Sequence, residues 1–284
     1  MRTCTTIIFS LFCFTLASQE LKNNPSLSDT ILSFSDAEFN ELEQKLESED
    51  PTFRFKFIFE NDVSLFLAAQ EKRPQSFIWV DLVVMYYAGE GNNARKLNDE
   101  NERKKLFENS LQYLMKSKET LQSVQITENN KAEYYSRIKL LNEMIASASI
   151  ETGELERAKQ MVNELLENNT DTLSFNYGSI ICNGNTILGR VALKEGDLER
   201  SKEYLIKSAE TPGSPELNSF GPSFILAKEL LQEGEKEIVL DYLDLIARFW
   251  AKPGQRSSPG KIEMLEKWKE EINAGKIPND PKWK

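Results

Sequence analysis

The chain has no histidine in its 284 residues. That removes nucleophiles activated by an imidazole, both Ser-His-Asp and Cys-His, and it removes imidazole metal sites. Acid–base chemistry at neutral pH would fall to a perturbed Glu, Asp, Lys or Tyr. Cysteine is scarce: Cys4, Cys13 and Cys182. Two of these sit in the leading segment, so the rest of the chain cannot close an internal disulfide, and its core must hold itself together. Cys182 follows Ser179-Ile180-Ile181, which reads as a buried, inert thiol. Glycine (13) and proline (10) are too few for a turn-rich β protein. There is no phosphate-cradling glycine loop, no Cys/His metal set and no calcium-binding EF-hand loop, so no cofactor is expected. Basic residues are outnumbered, and the formal net charge is −10. Such a chain repels nucleic acid and anionic membrane surfaces at long range.

What is present favours a large helical core. Apolar residues make up 40% of the chain and charged residues 28%, a balance that suits folded, helix-rich domains. The first residues form a targeting pattern: Arg2, an apolar run from Ile7 to Leu16, then small residues about Ala17 and Ser18. The run is shorter than the ~20 residues that span a bilayer. Residues 1–17 are therefore expected to be a cleaved signal peptide, leaving no stable membrane insertion and placing the protein in the periplasm or outside the cell. Phe12 before Cys13 fits a lipid-anchor site poorly. Residues 18–34 are polar and irregular, a flexible lead.

Residues 35–75 read as an N-terminal helical extension. Ser35 and Glu38 have the spacing of a capping box, followed by a short helix with Phe39, Leu42 and Leu46 on one face. Phe53, Phe55, Phe57 and Phe59 then alternate with other residues, a period-two strand signal inside a helical neighbourhood, so residues 51–60 stay open between the two. Trp79, Leu82 and Tyr86 open a further helix that Gly89 and Gly91 are expected to break. A polar stretch over 92–101 precedes a helix over 102–121 with Leu106, Leu111, Tyr113 and Leu114 on its apolar face. A closing helix over 259–274, with Met264, Leu265 and Trp268 inward, reads as a cap. Residues 276–284 read as a tail.

The chain repeats itself. Glu151-Thr-Gly-Glu-Leu-Glu-Arg-Ala-Lys159 aligns with Lys194-Glu-Gly-Asp-Leu-Glu-Arg-Ser-Lys202 and, more loosely, with Gln232-Glu-Gly-Glu-Lys-Glu-Ile-Val-Leu240. Upstream of each glycine come Ile145-Ala146, Leu188-Gly189 and Leu226-Ala227; downstream come Ala158, Ser201 and Val239, then Val162, Leu205 and Leu243. A large residue beside a small one before a turn glycine, repeated at a few tens of residues, marks stacked helical units. The pattern resembles the tetratricopeptide repeat, although Val239 is larger than that family prefers. The extra length between copies falls in loops over 168–175 and 211–220, both rich in turn residues. The stretch from Ala192 to Trp250 is also similar to uncharacterised bacterial exported proteins with such repeats, through Thr211-Pro-Gly-Ser-Pro215, Asn218-Ser-Phe-Gly-Pro222 and Phe249-Trp250.

The resemblance implies an all-α, right-handed array of antiparallel helix pairs, a tetratricopeptide-like solenoid over residues 76–275, with the N-terminal extension and the C-terminal capping helix at its ends. It also implies a concave wall, lined by each first helix, that binds a protein or peptide. Carried onto this chain, that wall is Glu143 and Ser147, then Asn183, Thr186, Arg190 and Lys194, then Phe224 and Lys228. Glu143 and Ser147 stand where the family's clamp for a C-terminal carboxylate needs Lys and Asn, so that mode is disfavoured. Arg190, Lys194 and Lys228 suit an anionic partner segment, unless neighbours such as Glu195 and Glu229 neutralise them. The function expected is a non-enzymatic scaffold or adaptor in an extracytoplasmic compartment. The alternative is an enzyme, or the accessory subunit of one, that uses acidic residues. Acid pairs such as Glu151 with Glu154 and Glu266 with Glu270 read as solvated helix faces. Asn168-Asn169-Thr170 fits a glycosylation acceptor in a eukaryotic secretory route.

Overall fold

A computed structural model describes residues 32–48, 51–97, 99–252 and 258–283. The expected signal peptide over 1–17 lies outside the described residues, as does most of the lead over 18–34. Among the described residues there are thirteen α-helices and no strand. The chain divides into two compact units, one ending at Thr152 and one beginning at Gly153.

The first unit contains α1 (Asp36–Glu47), α2 (Pro51–Glu60), α3 (Val63–Lys72), α4 (Ile78–Ala94), α5 (Glu100–Gln122) and α6 (Lys131–Thr152). Its organiser is α4. Phe77, Ile78, Trp79, Val80, Leu82, Val83, Val84 and Met85 are all buried. A helix apolar on every side has to be surrounded, and α4 packs against α1, α2, α3, α5 and α6. The capping box of α1 forms as its spacing predicts: Ser35 Oγ accepts from the Glu38 amide, and Glu38 Oε2 accepts from the Ser35 amide at 2.8 Å.

Residues 51–60 settle as helix. Spacing by two puts Phe53 and Phe57 four apart, which is equally a helical stripe; their rings lie 6.3 Å apart, and Phe57 also meets Phe66 and Trp79. The expected break at Gly89 and Gly91 does not occur, and α4 runs through both to Ala94. Glycine inside a helix costs only ~1 kcal/mol relative to alanine, less than burial of the preceding apolar turns supplies.

The second unit contains α7 (Leu155–Glu167), α8 (Tyr177–Lys194), α9 (Leu198–Ala209), α10 (Pro215–Phe220), α11 (Ile225–Gln232), α12 (Lys236–Trp250), α13 (Ser258–Asn273) and a final 3-10 turn, Pro281–Trp283. Gly196 turns α8 into α9 at φ 82° and Gly234 turns α11 into α12 at φ 87°; Gly153, at the start of the unit, has φ 85°. The turn at Gly196 has a defined hydrogen-bond pattern. The Asp197 amide donates to Ala192 O at 2.9 Å and the Gly196 amide to Leu193 O at 3.1 Å, the paired bonds that end a helix on a left-handed residue. Asp197 then caps α9 by accepting from the Arg200 amide. Gly234 repeats the arrangement, with the Glu235 amide donating to Leu230 O and the Gly234 amide to Leu231 O.

The small and large residues that align in the repeats are interior. Leu226, Ala227, Ser201, Leu205, Val239 and Leu243 are all at most 1% exposed. Gly189 lies at a close approach: a Cβ there would collide with Leu226 of α11 and stand 3.1 Å from Tyr204 Cβ of α9. Val239, the departure from the small-residue pattern, is accommodated at 0% exposure. The stretch read as a loop over 211–220 contains α10. Ser214 accepts from the Leu217 amide as its N-cap, and Pro215 occupies the first turn, both ordinary helix-start chemistry. The stretch read as a tail over 276–284 comes back to the core at Trp283. Trp283 is 2% exposed and stacks on Phe224, with ring centroids 5.1 Å apart.

Candidate functional site

Four of the residues expected on a binding wall lie along α8. Thr186 is buried, and its hydroxyl donates to Cys182 O at 2.9 Å, a bond within its own helix. Asn183 is half-buried and Lys194 is exposed at the end of the helix. Arg190 is 4% exposed. Its guanidinium meets Glu229 of α11 through Nε at 2.9 Å and Nη2 at 2.7 Å. A forked guanidinium–carboxylate pair is among the stronger polar contacts a protein makes, and here it ties α8 to α11. The expectation that Arg190 offers its charge to a partner is therefore corrected: that charge is already matched inside the fold. Glu195 meets Lys159 of α7 at 2.6 Å instead of a cation of α8.

Phe224 is a second correction. It stands at the N-cap of α11 and is 1% exposed. Its ring is the hub of an aromatic cluster, with Trp268, Trp283, Trp250 and Tyr242 at centroid distances of 5.0, 5.1, 5.9 and 6.1 Å. The repeat resemblance places it on an open wall, whereas α13 and the final turn cover it here. Lys228 remains half-buried on α11. Of the expected wall, Lys194 and Lys228 keep accessible cations. Glu143 and Ser147 belong to the first unit, where Glu143 meets Lys139 at 3.8 Å and Ser147 accepts from Arg95 at 3.1 Å.

The open relief of the second unit lies elsewhere. A shallow trough of about 580 Å³ runs between α9 and α12. Its floor carries Ile206 and Ile238, both half-buried. Glu199 and Glu203 of α9 and Glu210 just past its end line one bank, and Glu235, Glu237 and Asp241 line the other; Lys202 and Lys207 are its cations. Lys202 bridges the two banks, at 2.6 Å from Glu199 and 3.3 Å from Glu235. A smaller hollow of about 220 Å³, backed by Leu188, Val191 and Ala192 and fronted by Lys159 and Tyr204, lies among α7, α8 and α9.

The repeat pattern does not point to the trough, yet the sequence carries a trace of it. Leu205-Ile206 and Ile238-Val239-Leu240 are apolar runs on amphipathic helices. Adjacent residues point about 100° apart, so the residues of each run cannot all be fully covered by the core. Leu205 and Val239 face the core, leaving Ile206 and Ile238 half-covered.

In the first unit, two buried carboxylates are candidates for acid–base chemistry, and both are engaged by donors. Asp81 accepts from Arg137 at 3.1 and 2.9 Å, and Arg137 also lies over the Phe77 ring. Burial pushes the Asp81 carboxyl above its ordinary range, while Arg137 pulls it back. Glu43 accepts from Trp79 Nε1 at 2.7 Å and from Arg73 at 3.2 Å. These contacts tie α1 to α4 and to the end of α3, and α4 to α6. Among the described residues no group of three or more Cys, Asp or Glu is placed to hold a metal ion, and no helix is long and apolar enough to cross a membrane. Comparison with protein-family models, with curated proteins and with solved structures gives no match.

Proposed function

We propose that this chain is a non-enzymatic protein-interaction scaffold, exported from the cytoplasm, whose helix pairs form a right-handed tetratricopeptide-like array and hold a protein segment on their exposed faces. The observation that carries this reading is the trough between α9 and α12. It is open and shallow, floored by isoleucine and rimmed by charge. A small metabolite is usually enclosed on most of its surface, whereas an open groove between two helices suits a chain segment laid along it. The polar groups that could otherwise attack or polarise a substrate, Arg190 with Glu229 and Asp81 with Arg137, are engaged with each other and act as ties between helices. The turn glycines and the large–small residue pairs support the repeat reading, and Arg2 with the run from Ile7 to Leu16 supports export.

The test is affinity purification of the mature protein from its native compartment, with the partners identified by mass spectrometry and the complexes reconstituted from purified components. A stoichiometric protein partner whose binding is lost when trough residues are altered supports the reading. A purified chain that turns over a substrate and retains no protein refutes it.

A further inference from the structure

We propose that the occupant of the α9–α12 trough is a basic amphipathic helix presented by a partner protein. This rests on the scaffold reading and adds the chemistry of the partner.

Ile206 and Ile238 project from neighbouring helices, line the same trough and are left half-buried. The groove between two packed helices is the shape into which the side-chain ridge of a third helix fits. Such a helix would cover both isoleucines with residues at a spacing of three and four. Burial of aliphatic surface is favourable in proportion to the area removed from water, so completing the burial of two half-covered isoleucines provides an anchor without deep enclosure.

The rim decides the charge of the occupant. Six carboxylates line the trough against two lysines. The lysines are already engaged, Lys202 with Glu199 and Glu235, and Lys207 with Glu203 at 3.8 Å. Glu210 and Asp241, one on each bank, make no ion pair among the described residues. An anionic segment would have to sit against this excess of like charge, and an uncharged one would leave it unmatched. A segment with lysine or arginine on both sides of its apolar stripe would meet Glu210 on one bank and Asp241 on the other. Charge complementarity of this kind sets orientation and association rate, and it rejects partners of the wrong sign. The occupant is therefore opposite in sign to the anionic segment that Arg190, Lys194 and Lys228 suggest in the sequence.

The test uses a dye-labelled synthetic peptide of roughly 15 residues, long enough to form a helix on binding, with leucines at helical spacing and lysines on both flanks. Fluorescence anisotropy measures its affinity for the full chain at low and at physiological salt. Two variants are compared with the parent: Glu210→Lys with Asp241→Lys, and Ile206→Ser with Ile238→Ser. The control is Glu108→Lys with Glu119→Lys on α5, which makes the same change of charge in the first unit. Circular dichroism melts confirm that each variant is folded; if the serine variant is not, Ile238→Ala alone replaces it.

We expect both trough variants to weaken binding by more than tenfold and the control to change it by less than twofold. Equal weakening by the control would show that the peptide responds to net charge alone and would overturn the proposal. Unchanged affinity in the serine variant would overturn it as well, because the apolar floor would then play no part. A native partner that binds the trough through an acidic or uncharged segment would overturn this inference and leave the scaffold reading standing. Absence of any native protein partner would remove the scaffold reading and this inference with it, even where the synthetic peptide binds.

Discussion

Trp283, in the final turn, should control the stability of the second unit. Its ring is 2% exposed and touches Phe224 face to face at 5.1 Å and Trp268 edge-on at 5.7 Å. Beside it, Lys282 Nζ donates to Phe220 O at 2.7 Å, which satisfies the end of α10. Replacing Trp283 with alanine removes an indole that buries on the order of 200 Å²; at ~25 cal/mol per Å² that is about 5 kcal/mol. Truncations of buried aromatics generally cost about 3–5 kcal/mol. For a unit of this size each kcal/mol moves the melting midpoint by roughly 3–5 °C, so Trp283→Ala should lower it by about 10 °C or more. The assay is thermal melting followed by tryptophan fluorescence. Trp250, Trp268 and Trp283 belong to the second unit, and Trp79 is the one tryptophan of the first. The variant keeps Trp250 and Trp268 as reporters. A midpoint unchanged within about 2 °C, the shift expected of a surface substitution worth about 0.5 kcal/mol, would refute the placement of the final turn in the core.

Gly189→Leu should destabilise by about 1–3 kcal/mol through overpacking against Leu226 and Tyr204, and an unchanged midpoint would show the site to be open. Arg190→Ala should cost about 3–5 kcal/mol, because Glu229 would keep a charge without its partner; Arg190→Ala with Glu229→Ala should recover part of that loss, and the double-mutant cycle in urea measures the coupling. Burial holds the Lys282 ammonium below its ordinary value of 10.5. A lysine with a depressed folded-state value destabilises the fold while it is charged, so that cost is relieved as pH rises through the folded-state value. Nitrogen-detected NMR should find Lys282 titrating below the exposed lysines, and the rise in stability on that limb should flatten in Lys282→Met. Intact-mass measurement from the native source should find the N terminus near Ser18; retention of Met1 would refute export by cleavage.

Helices are legible in the sequence wherever local chemistry and core pattern agree. Ser35 with Glu38, and the glycines at 153, 196 and 234 with their flanking large and small residues, locate ends and turns because each needs a particular residue type. Residues 51–60 are ambiguous in sequence because phenylalanine every second residue satisfies both a strand face and a helix stripe, and only the neighbours Phe66 and Trp79 decide between them. The site is far less legible. Phe224 occupies a wall position by alignment, but nothing local records that α13 and the residues after Asp280 fold over it. Arg190 and Glu229 lie 39 positions apart, and their pairing depends on how α8 and α11 meet. The trough requires the same knowledge: Ile206 and Ile238 become a floor only once α9 lies against α12.

The placement of a protein segment in that trough is open to direct capture. A photo-crosslinking amino acid placed at Ile238 tests it in the native compartment, with the same residue placed at Lys194 as the comparison on the α8 surface. A discrete protein adduct is expected from position 238, mapped to a lysine- or arginine-flanked helix of the partner, and little or none from position 194. A discrete adduct from position 194 with none from position 238 would contradict that placement and move the partner to the end of α8.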